Sequence, residues 1–173
     1  GGDQRVIYIA GKGKKGMNIF FDMDYTLLGL DNTLRPNTRE VMQRLIDDGH
    51  TLYVWSGVGI RWPEVRTHKL EPFITDCFRK PVMNYVEAMR RANLPVKPDI
   101  VIDDYPEVPT ALGGIFVRPY FYHSTTDNEM ERVYTIIQDC VRDGYSNDEN
   151  YRRGEATEAA PDGHVGPFPA REG

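Results

Sequence analysis

The residues best equipped for chemistry fall where strands are expected to end. Residues 18–21 are apolar and lead straight into Asp22-Met23-Asp24-Tyr25-Thr26. Residues 51–55 run into Ser56-Gly57, a brief strand near Cys77-Phe78 is followed by Lys80-Pro81, and residues 100–102 run into Asp103-Asp104. An open parallel sheet binds its ligands beyond the carboxyl ends of its strands. Two acids, a hydroxyl, a cation and two more acids are therefore expected along one edge. Four carboxylates in one crevice repel each other, and uncompensated some would take up protons. A hard divalent cation with oxygen ligands removes that difficulty, and Mg2+ suits carboxylates, water and a phosphate together. Ser56, Gly57 and Lys80 then read as phosphate-binding. Asp22 is placed to attack phosphorus as a carboxylate nucleophile, and Asp24, two residues on, to protonate the leaving oxygen and later activate water.

Each piece alone has an ordinary reading. Paired Asp residues after a strand serve turns and helix caps, Ser-Gly makes turns, and a single Lys is usually a solvated charge. Residue type, order and strand context agree only when the pieces are taken jointly.

The elements that must position these groups alternate. Asn37 with Glu40 forms a capping box after Pro36 and opens a helix with Val41, Leu45 and Ile46 as its stripe and Gly49 as its stop. A short helix is expected over 63–70, another over 82–93 ending at Leu94-Pro95, a strand over 115–117, and a last helix over 127–143, started by Thr126 with Glu129 and stopped by Gly144. This order predicts an α/β fold, a Rossmann-like three-layer sandwich with a mainly parallel sheet. A strand over 6–10 precedes Gly11-Lys12-Gly13-Lys14-Lys15-Gly16. That loop has the dinucleotide-binding glycine spacing but leads to a strand, not a helix, and reads as a basic turn. Residues 1–144 are expected to form one domain. Residues 145–173, rich in Gly, Pro and charge, are expected to be a flexible tail, with Val165, Phe168 and Pro169 as the only candidates for a partner-binding arm.

With 173 residues the chain can bury a core unaided, and a net charge of −5 argues against a general nucleic-acid binder. No apolar run is long enough to span a bilayer and no secretory signal is visible. Cys77 and Cys140 form no metal or disulfide pattern and read as reduced thiols of a cytoplasmic protein.

Phe21-Asp22-Met23-Asp24-Tyr25-Thr26-Leu27 resembles motif I of the haloacid dehalogenase-like phosphatases. Val54-Trp55-Ser56-Gly57 is similar to motif II, Lys80-Pro81 to motif III and Val101-Ile102-Asp103-Asp104 to motif IV. The resemblance implies an aspartyl-phosphate intermediate and a magnesium ion held by Asp22, the backbone carbonyl of Asp24 and Asp104, with Asp103 supporting Lys80 or a metal-bound water, or exchanging roles with Asp104. Lys97-Pro98 competes for motif III, but Lys97 falls at the amino end of its strand. Asp24 favours phosphate esters, since the superfamily's dehalogenases lack an acid there. The intervals 24–56 and 56–80 are too short for a cap domain, which resembles the capless magnesium-dependent phosphotyrosine-type and polymerase C-terminal-domain-type phosphatases.

The leading expectation is a magnesium-dependent phosphomonoesterase acting on a phosphorylated protein or small molecule, with oligomerisation closing the site for the latter. A catalytically silent binding module of the same fold is the alternative from another class. A nucleic-acid end phosphatase has only Lys12, Lys14 and Lys15 in its favour. Residues 28–35, Val58, Ile60, Arg61 and Trp62 are candidates to read the leaving group, Arg61 through a second anion and Trp62 by stacking, unless Arg61 is solvated and Trp62 packs on the sheet.

Overall fold

The computed structural model describes residues 16–155. The strand expected over 6–10, the basic loop with Lys12, Lys14 and Lys15, and residues 156–173 with Val165, Phe168 and Pro169 lie outside them.

The chain runs β1 (Asn18–Asp22), α1 (Thr38–Asp47), β2 (Thr51–Ser56), α2 (Trp62–Thr67), β3 (Ile74–Arg79), α3 (Tyr85–Arg91), β4 (Ile100–Asp103), α4 (Glu107–Leu112), β5 (Gly114–Phe116), α5 (Glu129–Asp143) and β6 (Tyr151–Arg152). The strands form one sheet in the order β3-β2-β1-β4-β5-β6. All neighbours are parallel except β5 and β6. Strands buried on both faces need apolar residues at successive positions, and β1, β2 and β4 supply them. Ile19 and Phe21 of β1 pack with Val54 and Ile102 against Val41 and Leu45 of α1 and Val133 and Ile137 of α5. Phe20, from the same strand, faces the other way and joins Trp55 and Val101 against Met89 of α3 and Val108 of α4. Helices thus cover both faces of the mainly parallel sheet, as expected of a three-layer α/β sandwich.

Between Asp24 and Ser56 lie the flap over residues 28–35, α1 and β2, and between Ser56 and Lys80 a loop, α2 and β3. The flap is tied down by a buried cation. Arg35 donates to the carbonyl of Thr26 at 3.0 Å, to that of Arg118, and to Asp127 Oδ1 at 3.0 Å, with its guanidinium 5.2 Å from the Tyr120 ring centre.

Several local expectations need correction. Asn37 sits in left-handed backbone (φ 68°) and makes no side-chain cap, so the capping box does not form; Thr38 Oγ1 instead donates to the Arg35 carbonyl at 2.8 Å. The last helix starts at Glu129, not Asp127, and the Glu129 N–H donates to Asp127 Oδ1 at 3.1 Å. Glu129 is buried and accepts the Arg118 N–H at 2.8 Å, so it anchors a neighbouring loop instead of capping. Helix α4 was not anticipated.

The expected tail also begins too early. Tyr151 and Arg152 pair with Ile115 and Gly114. Tyr151 packs against the core, Ser146 donates to Asp139 at 2.6 Å, and Arg132 grips Asp148 at 2.9 and 3.0 Å. Residues 145–155 therefore belong to the domain. Among the described residues no helix is long and apolar enough to cross a membrane.

Candidate active site

Register brings the acids together. Phe21 stands opposite Ile102 and Asp22 opposite Trp55, so Asp22, Ser56 and Asp103 leave neighbouring strands at the same edge. The turn after β1 is tight: Leu27 and Leu28 donate to the Met23 carbonyl at 2.9 and 3.1 Å, and Tyr25 takes a left-handed conformation (φ 65°). This turn aims Thr26 back at the edge.

Lys80 follows β3, with its N–H bonded to the Ser56 carbonyl at 2.9 Å. Its Nζ lies 2.9 Å from Asp22 Oδ1 and 2.8 Å from Asp103 Oδ2. Burial alone would push the ammonium down, but the charges of Asp22 and Asp103 outweigh it and hold its pKa above the ordinary value. Lys97, the competitor, donates to the carbonyls of Met89 at 2.8 Å and Ala92 at 3.4 Å, near the end of α3 and away from this crevice.

Asp22, Asp103 and Asp104 each present a carboxylate oxygen within 4.8 Å of the others. Asp103 is fully committed: Oδ2 to Lys80, Oδ1 to the Tyr105 N–H at 2.9 Å. Burial and the charge of Asp22 push it up to about 6 even so. Asp104 is pushed up to about 7 by burial first and then by Asp22 beside it. One lysine does not neutralise three acids, and this is the setting that a hard divalent cation relieves. The donor set, all carboxylate oxygen, fits such an ion.

Thr26 received no role from the sequence, yet it links the first and last motifs. Its hydroxyl lies 3.1 Å from Asp22 Oδ2 and 3.3 Å from Asp104 Oδ1, and accepts the Asp104 N–H at 3.1 Å. Its place four residues after Asp22 in a turn was the signal available.

Asp24 is not among the three clustered acids, and its side chain is 42% exposed. Arg61 is not solvated but paired. Its Nη1 reaches Asp24 Oδ2 at 2.7 Å and Ser56 Oγ at 3.1 Å, its Nη2 reaches Asp24 Oδ1 at 3.0 Å, and its Nε lies 3.1 Å from Glu64. The hydrogen bond to Asp24 raises its pKa further. Trp62 packs against the core, with the Arg66 guanidinium 5.8 Å from its ring centre. Of the flap residues, Arg35 is buried structure, whereas Leu30 remains exposed. Gly57 is hemmed in: a Cβ there would meet Val82 Cγ1 at 3.0 Å. A groove of about 750 Å3 between α3 and α4 holds none of these groups. The converging carboxylates of Asp22, Asp103 and Asp104 lie outside that groove.

Cys77 and Cys140 are buried, unpaired and pushed up to about 12 by burial, which leaves them unreactive.

Residues 19–74, from β1 to the first residue of β3, match the family model described as haloacid dehalogenase-like hydrolase. No curated protein matches the chain.

Proposed function

We propose that the chain, whose residues 19–74 match the haloacid dehalogenase-like hydrolase model, is a capless, Mg2+-dependent phosphomonoesterase of that superfamily that works through an aspartyl-phosphate on Asp22. The observation that carries this reading is the Lys80 bridge between Asp22 and Asp103 with Asp104 alongside. That arrangement is a costly way to stabilise a fold and a useful way to handle a phosphate dianion. Two buried free thiols accord with a cytoplasmic setting.

Asp22, Asp104 and the Asp24 backbone carbonyl would hold the cation, with Asp103 orienting Lys80. When bound, the cation would neutralise carboxylate and phosphate charge and act as a Lewis acid toward the phosphoryl oxygens. Ser56 and the Gly57 backbone offer donors to the phosphate, and Lys80 adds a positive charge. An Asp22 carboxylate oxygen forms the bond to phosphorus as the bond from phosphorus to the leaving oxygen breaks. Asp24 gives its proton to that oxygen. Asp24 then takes a proton from water as the water attacks phosphorus, which frees Asp22 and releases inorganic phosphate. For either step the Asp24 carboxylate must leave the Arg61 fork, and an arriving phosphate beside Ser56 gives Arg61 another bidentate partner.

The test is phosphate release from p-nitrophenyl phosphate. Turnover that requires Mg2+, stops with EDTA and vanishes in Asp22→Asn is expected. Turnover by wild type that is indifferent to EDTA, or near-normal turnover by Asp22→Asn, would refute it.

A further inference from the structure

Exposed apolar side chains are ordinarily scattered, and a cluster of them marks a contact surface. In this protein they gather on the loops at the carboxyl edge of the sheet. On one side of the crevice stand Val58, after β2, and Val82 and Met83, after β3. On the other stand Leu30 of the flap and Phe121 and Tyr122, after β5. These six side chains are between 47 and 75% exposed. Each group is a built lip. The Val58 N–H donates to Ser56 Oγ at 3.3 Å, and Val82 lies against Gly57. The Leu30 N–H donates to the Phe121 carbonyl at 2.6 Å, and the Phe121 ring sits 5.5 Å from that of Tyr25, the neighbour of Asp24. The sheet order sets β2 and β3 on one side of β1 and β4 and β5 on the other, so Asp22 lies between the lips.

Resting on the phosphatase reading above, we propose that these lips grip a polypeptide segment on both sides of a phosphorylated residue, and that the favoured flanking side chains are apolar and not acidic. Three observations select this occupant. The lips lie on opposite sides of the nucleophile, so an occupant that touches both must extend both ways from its phosphate. A polypeptide does so, whereas a small phenol or alcohol extends one way. The lip residues are exposed on separate loops, whereas small ligands are held in concave sites that bury most of their surface. A second copy of the chain is disfavoured by charge: it would set Asp22, Asp24, Asp103 and Asp104 of one crevice against the same acids of the other. The same acids disfavour acidic flanks, because Lys80 and Arg61 are already paired.

The experiment uses short synthetic peptides with a central phosphotyrosine, or in a second set phosphoserine, flanked by leucine, serine or glutamate. Wild type with Mg2+ should show kcat/KM about tenfold or more higher for leucine than for serine flanks, the effect of burying one or two aliphatic side chains, and lower still for glutamate. In Met83→Ser and Tyr122→Ser the leucine-to-serine ratio should fall toward one. Both side chains are exposed, so neither substitution threatens the core. Binding of the corresponding non-hydrolysable phosphonate peptides, followed by calorimetry, should show the same order. Equal values for all flanks, or a preference for glutamate, would overturn the proposal. So would a concentration-dependent dimer in sedimentation that Tyr122→Asp abolishes, since the lips would then cover each other. Loss of the phosphatase reading shows separately, as absence of p-nitrophenyl phosphate turnover; the phosphonate peptides still judge the lips in that case.

Discussion

Arg61 holds Asp24 through both terminal guanidinium nitrogens, at 2.7 and 3.0 Å, while the same Nη1 touches Ser56 Oγ at 3.1 Å. One cation thus joins the loop after β2 to the second acid of the β1 turn. Arg61→Met should lower kcat/KM for an alkyl phosphate by about ten- to a hundredfold, the worth of one charge-assisted hydrogen-bonded pair. Arg61→Lys should recover little, because an ammonium cannot form the fork. Steady-state kinetics of both variants check this; full activity of Arg61→Lys would show that charge alone matters.

Asp24→Asn separates two chemical steps. Turnover of an alkyl phosphate should fall by roughly two to four orders of magnitude, the usual span for general acid–base catalysis. An aryl phosphate needs less help in its first step, so phenol should appear in a burst before slow turnover, with phosphate accumulating on Asp22. Rapid-quench measurement of phenol against phosphate checks this. An equal loss on both substrates without a burst would leave Asp24 with only its backbone carbonyl.

Lys80 is 12% exposed and serves two acids. Lys80→Met should cost about 3–5 kcal/mol in urea unfolding of the metal-free protein, because Asp22 and Asp103 lose their counter-charge. Adding Asp103→Asn should restore part of that loss, since one of the two stranded charges disappears. A double variant less stable than Lys80→Met would contradict the pairing.

Asp103 and Asp104 are pushed up to about 6 and about 7. Their unfolded values lie near about 4. Between those limits the folded, metal-free chain holds more protons than the unfolded one, so the contribution of these acids to stability falls as pH rises from about 4 to about 7 and then levels off. Protons compete with a cation for the same oxygens, so Mg2+ affinity should drop as pH is lowered from about 8 to about 5.5. Calorimetric titration across that range checks the slope; a flat profile would show that these oxygens do not bind the ion.

Truncation at Tyr145 should destabilise the domain by about 2 kcal/mol or more. It removes the β6 pairing, the Tyr151 packing and the Arg132–Asp148 pair. Thermal unfolding checks this, and an unchanged melting temperature would make β6 an adornment.

What the sequence made legible follows the physics of each signal. Strands buried on both faces are continuous apolar runs, so β1, β2 and β4 could be read, and the groups just beyond them with them. Lys80 could be chosen over Lys97 because the two lie at opposite ends of their strands. The helix starts were misread where tertiary contacts took the capping groups: Glu129 is drawn inward by Arg118, and Asn37 is turned into left-handed backbone. Strand β6 has two residues and carries no period of its own; it exists because Tyr151 finds β5 and the core. Arg61 gave no local sign of its partner, since Asp24 lies thirty-seven positions away and only the sheet brings them together. Thr26 was in view, but its two bonds depend on a turn whose geometry the letters do not spell.

Arg35 is the side chain whose burial reaches furthest in time. Its bonds to the Thr26 carbonyl, the Arg118 carbonyl and Asp127 staple the flap to the loop after β5, so that side of the entrance is a standing wall, not a door. A phosphorylated Asp22 beside a standing wall stays in contact with whatever the solvent contains. Its lifetime is then set by competition among acceptors: water, and any small alcohol added to it, should share the phosphoryl group in proportion to concentration and nucleophilicity, with no closing step to choose between them.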